Sequence, residues 1–552
     1  MTESGAMAAT PSSGATASGA AAPARLDAVV VGAGFAGLYM LHRLRGLGFT
    51  ARVIEAGDGV GGTWYWNCYP GARCDTESMG YSFGFDEALQ QEWRWSERYA
   101  TRAEICRYLD HVVDRFDLRR DIELGTRVTT AAWDEAAGAW TVGTDRGATV
   151  TATHLVMASG CLSSWSLPDI PGRDSFRGSA HHTGNWPHEP VDFSGKRVAV
   201  IGTGSSGVQS IPLIAQEAAH VTVFQRTPSF SVPAGPLELD PAFEQEIRSR
   251  YPTYREDQRA SLFGVPFPPN EQTALAATPE ERVREYAERW QRGGIGILVA
   301  YADLLTNREA SETIADFFRA RIREVVRDPA VAERLCPYGY APGTRRLVVD
   351  IGYYETFNRS NVTLVDVRET PILEITPAGI RTAAGELELD AIVYAPGFDA
   401  MTGALLAIDI RGRDGVSLRA AWADGPCAYL GVAVAGFPNL FTITGPGSPS
   451  VLSNVVVSIE QHVEWIGDLL ATLRDRGLAT AEATPDAQAA WVEHVGAVAD
   501  GTLFPATASW YSGSNIAGKP RVFMPYVGGV GAYRDECAAI AAQGYTGFLL
   551  GG

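Results

Sequence analysis

The feature that most constrains this chain is a glycine turn that occurs twice. The first lies in D-A-V-V-V-G-A-G-F-A-G-L-Y-M, beginning at Asp27, and the second in K-R-V-A-V-I-G-T-G-S-S-G-V-Q-S, beginning at Lys196. Each reads as a buried strand, a tight turn and a helix. Gly32, Gly34 and Gly37 fit G-x-G-x-x-G, and Gly202, Gly204 and Gly207 repeat it. The first glycine permits the turn, the second lets backbone N–H groups approach a pyrophosphate, and the third lets the helix pack on the strand. The helix N-terminus then presents partial positive charge to the phosphates. After the first unit, R-V-I-E ends in Glu55, at the spacing of an acid that binds a ribose 2′-hydroxyl. After the second, V-T-V-F ends in Gln225-Arg226-Thr227, with no acid. An arginine there suits a 2′-phosphate, which a carboxylate would repel. Two dinucleotide sites are therefore expected, the second for NADP.

The chain has 552 residues, too many for one core. With 46% hydrophobic and 20% charged residues it is globular. A net charge of −18 argues against a nucleic-acid partner. No apolar run has the length of a membrane span. Seven cysteines, an odd number, suit reduced thiols in a cytoplasm better than a disulfide framework. Residues 1–25 are Ala, Ser, Gly and Thr with little to bury and read as a disordered tail.

The expected fold class is α/β, with two Rossmann-like dinucleotide-binding domains and a helical insertion in the second. Residues 26–160 form the first part of the first domain, including an amphipathic helix near Ala103–Phe116, a β-meander, and an apolar strand that ends at Gly160 and rejoins the first sheet. Residues 161–234 begin the second domain. Residues 235–340 break the α/β rhythm with charged helical patterns; a lid and an inert bundle are both open to them. Residues 341–389 complete the second domain. Residues 390–552 belong to the first, with Leu389–Ala400 as the crossing and a long helix from Val455 to about Arg476.

Between the two units lies G-V-G-G-T-W-Y-W-N-C-Y-P-G-A-R-C-D, from Gly59 to Asp75. Gly61 and Gly62 let this loop cross a ligand closely. Trp64, Tyr65 and Trp66 supply flat apolar surface, and Arg73 and Asp75 set opposite charges two residues apart. Placed after a dinucleotide fold, this loop is expected to wrap a ring system and hold an ion pair beside it.

F-x-G-x-x-x-H-x-x-x-W-P is filled by Phe176, Gly178, His182, Trp186 and Pro187. Lying between two G-x-G-x-x-G units, it resembles the fingerprint of type I Baeyer–Villiger monooxygenases. G-Y-Y-E-T-F-N-R-x-N-V and S-W-Y-x-G-x-N-I-x-G-K-P-R are similar to stretches of the phenylacetone and steroid monooxygenase branch. The resemblance spans the chain from about residue 26. It implies an FAD-containing, NADPH-dependent enzyme that turns a ketone into an ester or lactone with O2, through a C4a-peroxyflavin and a tetrahedral adduct. It also implies no metal, no membrane, and a monomer or weak homo-oligomer. The catalytic pair would be Asp75 and Arg346. FAD would be held by Gly32, Gly34, Ala36, Gly37, Glu55, Thr63, Trp64, Tyr65, Trp66, Asp75, Tyr81 and Val128. NADP would be held by Arg73, Gly202, Thr203, Gly204, Ser205, Ser206, Gly207, Arg226, Thr227, Arg345 and Trp510. His182 would sit in a linker that couples domain movement to catalysis rather than act as a base. Cys68, Thr63 and Pro396 stand where relatives usually carry Arg, Val and Thr, and Arg345 where Lys is usual.

The chemistry can also be argued from side chains. Oxygen insertion beside a carbonyl develops negative charge on oxygen. A guanidinium stays protonated and can stabilise that charge, while a carboxylate beside it offsets the buried cation. Arg346 and Asp75 suit these tasks. Flavin disulfide reductases need a redox cysteine pair, and the segment from Cys68 to Cys74 is already committed to Arg73 and Asp75. N- or S-oxygenating flavin monooxygenases are the nearer alternative; their fingerprint typically lacks Trp-Pro.

Overall fold

A computed structural model describes residues 25–551 apart from residue 269. The expected disordered tail lies outside the described residues, save Arg25. Two sheets organise the chain. The first has eight strands, in the order Asp409–Arg411, Val128–Asp134, Ala139–Thr144, Thr149–Met157, Leu26–Val31, Ala51–Ile54 and Ile122–Glu123, with Leu440–Thr442 also paired to Thr149–Met157. The strand Leu26–Val31 lies parallel between Ala51–Ile54 and Thr149–Met157. Buried on both faces, it is an almost unbroken aliphatic run. The nine-residue strand Thr149–Met157 serves two partners on one side. Its first half pairs antiparallel with Ala139–Thr144, and its second half parallel with Leu440–Thr442.

The second sheet is all parallel, in the order Val362–Asp366, His220–Gln225, Arg197–Ile201, Ala391–Tyr394 and Ser179–His182. This corrects one boundary. A boundary at residue 390 puts Ala391–Tyr394 in the first domain, yet the strand is paired on both sides within the second sheet. Four consecutive apolar residues announce a buried strand but not which sheet it joins. The chain rejoins the first sheet only at Asp409–Arg411.

The helix Phe35–Gly46 packs against the long helix Val455–Arg476, tied by Arg43 and Asp468 at 2.5 Å. That long helix starts where the Asn454 side chain accepts the N–H of Val456 and stops at Gly477, whose φ of 66° favours glycine. The insertion carries helices Pro241–Ser249, Tyr251–Ala260, Pro279–Arg292, Arg308–Val325 and Pro329–Leu335. Thr278 and Glu281 form a capping box at the third of these. Tyr286, Ile314 and Phe318 of the insertion share a core with Tyr99, Phe230 and Val349 of the surrounding chain. The insertion is thereby fixed to the strands Ser231–Pro233 and Val348–Asp350, which pair parallel with each other.

Candidate active site

Both glycine turns are sterically obligatory. Gly32 and Gly202 have φ of 106° and 112°. A Cβ on Gly37 would lie 1.8 Å from the Gly32 carbonyl oxygen, and one on Gly207 would lie 2.3 Å from the Gly202 oxygen. The following helices, Phe35–Gly46 and Ser205–Glu217, start from Gly34 and Gly204 with no side-chain cap, so no capping side chain takes their first-turn N–H groups. A Cβ on Gly204 would meet nothing within 4 Å. Ala36 is buried in the first turn of its helix. Thr203 donates to the Thr227 carbonyl at 3.1 Å, and Ser206 to the Thr183 hydroxyl at 3.0 Å, while Ser205 opens the helix. Glu55 is 5% exposed and takes the N–H of Ala33 on one oxygen and of Gly57 on the other, both at 2.7 Å. Each oxygen keeps a second lone pair for a ribose hydroxyl. Burial raises the pKa of this carboxyl, against the lowering influence of those N–H groups.

The aromatic loop folds as one helical turn, Thr63–Trp66. Gly61 and Gly62 have positive φ, and Gly62 crosses Gly34 so closely that a Cβ on Gly34 would lie 3.4 Å from its Cα. Trp64 donates its indole N–H to Tyr81 at 3.1 Å, and the Arg102 guanidinium donates to the carbonyls of Trp64 and Tyr65. The Tyr65 ring lies against Gly57 and Gly59, and the Trp66 carbonyl faces the N–H of Trp186. Val128 is buried at the start of its strand.

The two charges of that loop do not pair with each other. Arg73 donates to Glu97 at 2.8 Å and to the Tyr99 carbonyl, while Asp75 pairs with Arg346, 271 residues along the chain. Asp75 is 8% exposed. One oxygen accepts from Arg346 Nε at 3.2 Å, and the other from the N–H of Val349 at 3.0 Å. Arg346 Nη1 reaches the Val451 carbonyl at 3.5 Å. Burial pushes the Asp75 carboxyl above its usual range, opposed first by the Arg346 charge and then by the Val349 N–H. For Arg346, burial is the largest single influence and acts downward. Asp75, Tyr511 and Cys74 together outweigh it, so the guanidinium holds its proton more firmly than usual. The arrangement is a fixed cation, 26% exposed at its side chain, steered from behind by a carboxylate.

Arg226 is exposed at the end of His220–Gln225. Arg345 lies over the Tyr340 ring and donates from Nη2 to the Ala508 carbonyl at 2.7 Å; its Nε is buried without a partner. Trp510 packs beside Tyr511 and among Met401, Met524 and Val451. His182 closes the edge strand Ser179–His182 of the second sheet. Its Nδ1 accepts the N–H of Gly184 at 2.9 Å, and its Nε2 faces the Ser166 carbonyl at 3.1 Å. Both ring nitrogens are committed to backbone, and burial lowers its pKa, so the ring is neutral and carries its proton on Nε2. Phe176 packs beside the second sheet under Gly178, Trp186 is buried in the core of that sheet, and Pro187 is exposed.

Residues 29–258 match a family model described as pyridine nucleotide-disulphide oxidoreductase. The Baeyer–Villiger monooxygenase of Pseudooceanicola batsensis is 44% identical over 531 residues, covering 95% of this chain and 96% of that protein. The chain belongs to the type I Baeyer–Villiger monooxygenases. Among solved structures, an oxidized steroid monooxygenase bound to NADP is 51% identical with a TM-score of 0.92, covering 96% of this chain and all of the other. The phenazine N-monooxygenase of Lysobacter antibioticus is 42% identical over 529 residues, covering 95% of this chain and 97% of that protein.

In this monooxygenase the residues fit two dinucleotides. The turns are uncapped, Arg226 is exposed at the strand end, and buried Nε–H groups on Arg73 and Arg345 have no acceptor among the described residues. All seven cysteines are free, and Cys74 is buried. Three members of the site escaped the sequence reading. The Val349 N–H and the Val451 carbonyl are backbone groups with no residue signature, and Glu97 lies too far from Arg73 in sequence for any spacing rule to join them.

Proposed function

We propose that this protein is an FAD-containing, NADPH-dependent monooxygenase that converts a bulky, hydrophobic ketone to an ester or lactone. The observation that carries the reading is the Asp75–Arg346 pair, a buried carboxylate against a half-buried guanidinium, set among residues of both nucleotide-binding units. Bound FAD and NADPH would supply two electrons and activate O2. The chain's own residues do the rest. Gly32, Gly34, Ala36, Gly37 and Glu55 would bind the FAD pyrophosphate and ribose, with Thr63, Trp64, Tyr65, Trp66, Asp75, Tyr81 and Val128 around the rest of that cofactor. Gly202 to Gly207, Thr227, Arg226, Arg345, Arg73 and Trp510 would bind NADP. Arg346 holds a positive charge where oxygen becomes negative, and Asp75 fixes the orientation of its guanidinium. A preorganised donor of this kind is worth about 10²–10³ in rate. The apolar cluster of Ala400, Met401, Met524, Leu162, Val451 and Trp510 adjoins this cation through the Val451 carbonyl and supports a greasy substrate. Exclusion of water by such side chains protects the charged oxygen from protonation.

Replacing Arg346 with Ala should abolish ester formation and leave flavin reduction by NADPH largely intact in stopped-flow measurements. Normal ester yield would sink the assignment. The N-oxygenating alternative draws support from the phenazine relative, and a panel holding both ketones and phenazines separates the two. No helix among the described residues is long and apolar enough to cross a membrane. The seven free cysteines support a cytoplasmic setting.

A further inference from the structure

Tyr340 stands just ahead of the Arg345-Arg346 pair, and its side chain has two faces of contact. Its ring lies under Arg345, with the guanidinium carbon 4.8 Å from the ring centroid. Its hydroxyl accepts the N–H of Phe230 at 3.3 Å and donates to the Pro228 carbonyl at 2.8 Å. The Phe230 ring meets it edge-on at 5.2 Å. Pro228 directly follows Arg226-Thr227, and Phe230 stands two residues further on. One aromatic side chain therefore braces Arg345 and also pins the turn that carries Arg226.

The two cations sense each other. Burial lowers the Arg345 pKa, and the Arg226 charge lowers it further, while Tyr340 opposes both. Arg345 also keeps a buried Nε–H with no acceptor. Two like charges with an unmatched donor are costly together until an anion joins them. A planar guanidinium stacked on an aromatic face has its donor fork set in direction, which a flexible ammonium would not.

We propose that Tyr340 is a positioning residue for cofactor choice: it holds Arg345 and the Arg226 turn in register as a clamp for the 2′-phosphate of NADPH. The inference rests on the NADPH reading above and deepens it. Were Tyr340 merely part of the insertion's core, its loss would weaken all adenine nucleotides alike.

The test uses the full-length, FAD-loaded protein. Binding of adenosine 2′,5′-bisphosphate and of AMP is measured by calorimetry, beside KM and kcat with NADPH and NADH. Tyr340→Leu should weaken the bisphosphate about tenfold, the size of a lost cation–π contact, and change AMP by less than about twofold. The NADPH KM should rise with it, and kcat should stay near the parent's. Tyr340→Phe keeps the stack and loses the hydroxyl bonds, so the bisphosphate should weaken about threefold. Equal weakening of bisphosphate and AMP, or no weakening of either, would overturn the proposal. Should Tyr340→Leu fail to hold FAD, Tyr340→Phe decides alone by the same comparison. A parent that binds the bisphosphate no tighter than AMP would overturn the NADPH reading itself, and this inference with it.

Discussion

Exchanging Asp75 for Asn keeps the shape of the side chain and removes its charge, which isolates what the carboxylate does for Arg346. In the parent, one oxygen takes Arg346 Nε–H and the other the Val349 N–H. An amide offers one acceptor and two donors to the same two N–H groups. In either orientation, one N–H faces a donor and loses its partner. A lost hydrogen bond to a charged group costs about 1.5–3 kcal/mol, and a buried orphaned donor about 1–3 kcal/mol. The sum, roughly 2.5–6 kcal/mol, brackets the about 3–5 kcal/mol for breaking a buried pair from one side. Part of this falls on stability, lowering the melting temperature by several degrees, and part on the guanidinium's aim. Ester formation should drop about 10²–10³-fold, with flavin reduction within about threefold of the parent. The assay is stopped flow on the two half-reactions separately, with ester confirmed by mass spectrometry and melting followed by flavin fluorescence. Ester formation within about threefold of the parent, with unchanged melting, would refute the claim that this carboxylate orients Arg346.

Three further outcomes are expected. Gly37→Ala should abolish FAD binding or folding, because its Cβ would sit 1.8 Å from the Gly32 oxygen; Gly46→Ala at the end of the same helix, where a Cβ meets nothing within 4 Å, should retain full flavin absorbance. Arg226→Ala should lower kcat/KM for NADPH by about 10–100-fold and leave NADH unchanged, as steady-state kinetics will read. His462 is buried, with its pKa lowered to about 3 by burial, and its Nδ1 accepts the Thr444 N–H. Its neutral form therefore contributes stability above the unfolded pKa that is lost as pH falls. Relative to His462→Gln, the parent should lose about 1.4 kcal/mol per pH unit between about pH 6 and pH 4, and parallel melting-versus-pH curves would contradict this.

What was legible in the sequence was mostly local. The glycine turns, the limits of Val455–Arg476 and the meander ending in Thr149–Met157 follow from periodicity, caps and steric need within a few residues. Pairing at a distance was not legible. Arg73 and Asp75 are near neighbours with opposite charge, yet each found its partner elsewhere, in Glu97 and Arg346. Ala391–Tyr394 declared itself a buried strand, but an apolar run carries no address. The edge-strand position of His182 depends on Ala391–Tyr394, some 210 residues on, lying beside it. The acceptors and donors that complete the site, Val349 N–H and Val451 carbonyl, belong to the main chain, where any residue type could have stood.

The Arg346–Asp75 contact has a consequence for anyone recombining this enzyme with its relatives. Its anionic half arrives early in translation and its cationic half some 271 residues later. A chimera with a crossover between them inherits the two halves from different parents. Activity in such hybrids will track whether the parents agree on the backbone that delivers Val349 to the carboxylate, rather than how alike they are elsewhere.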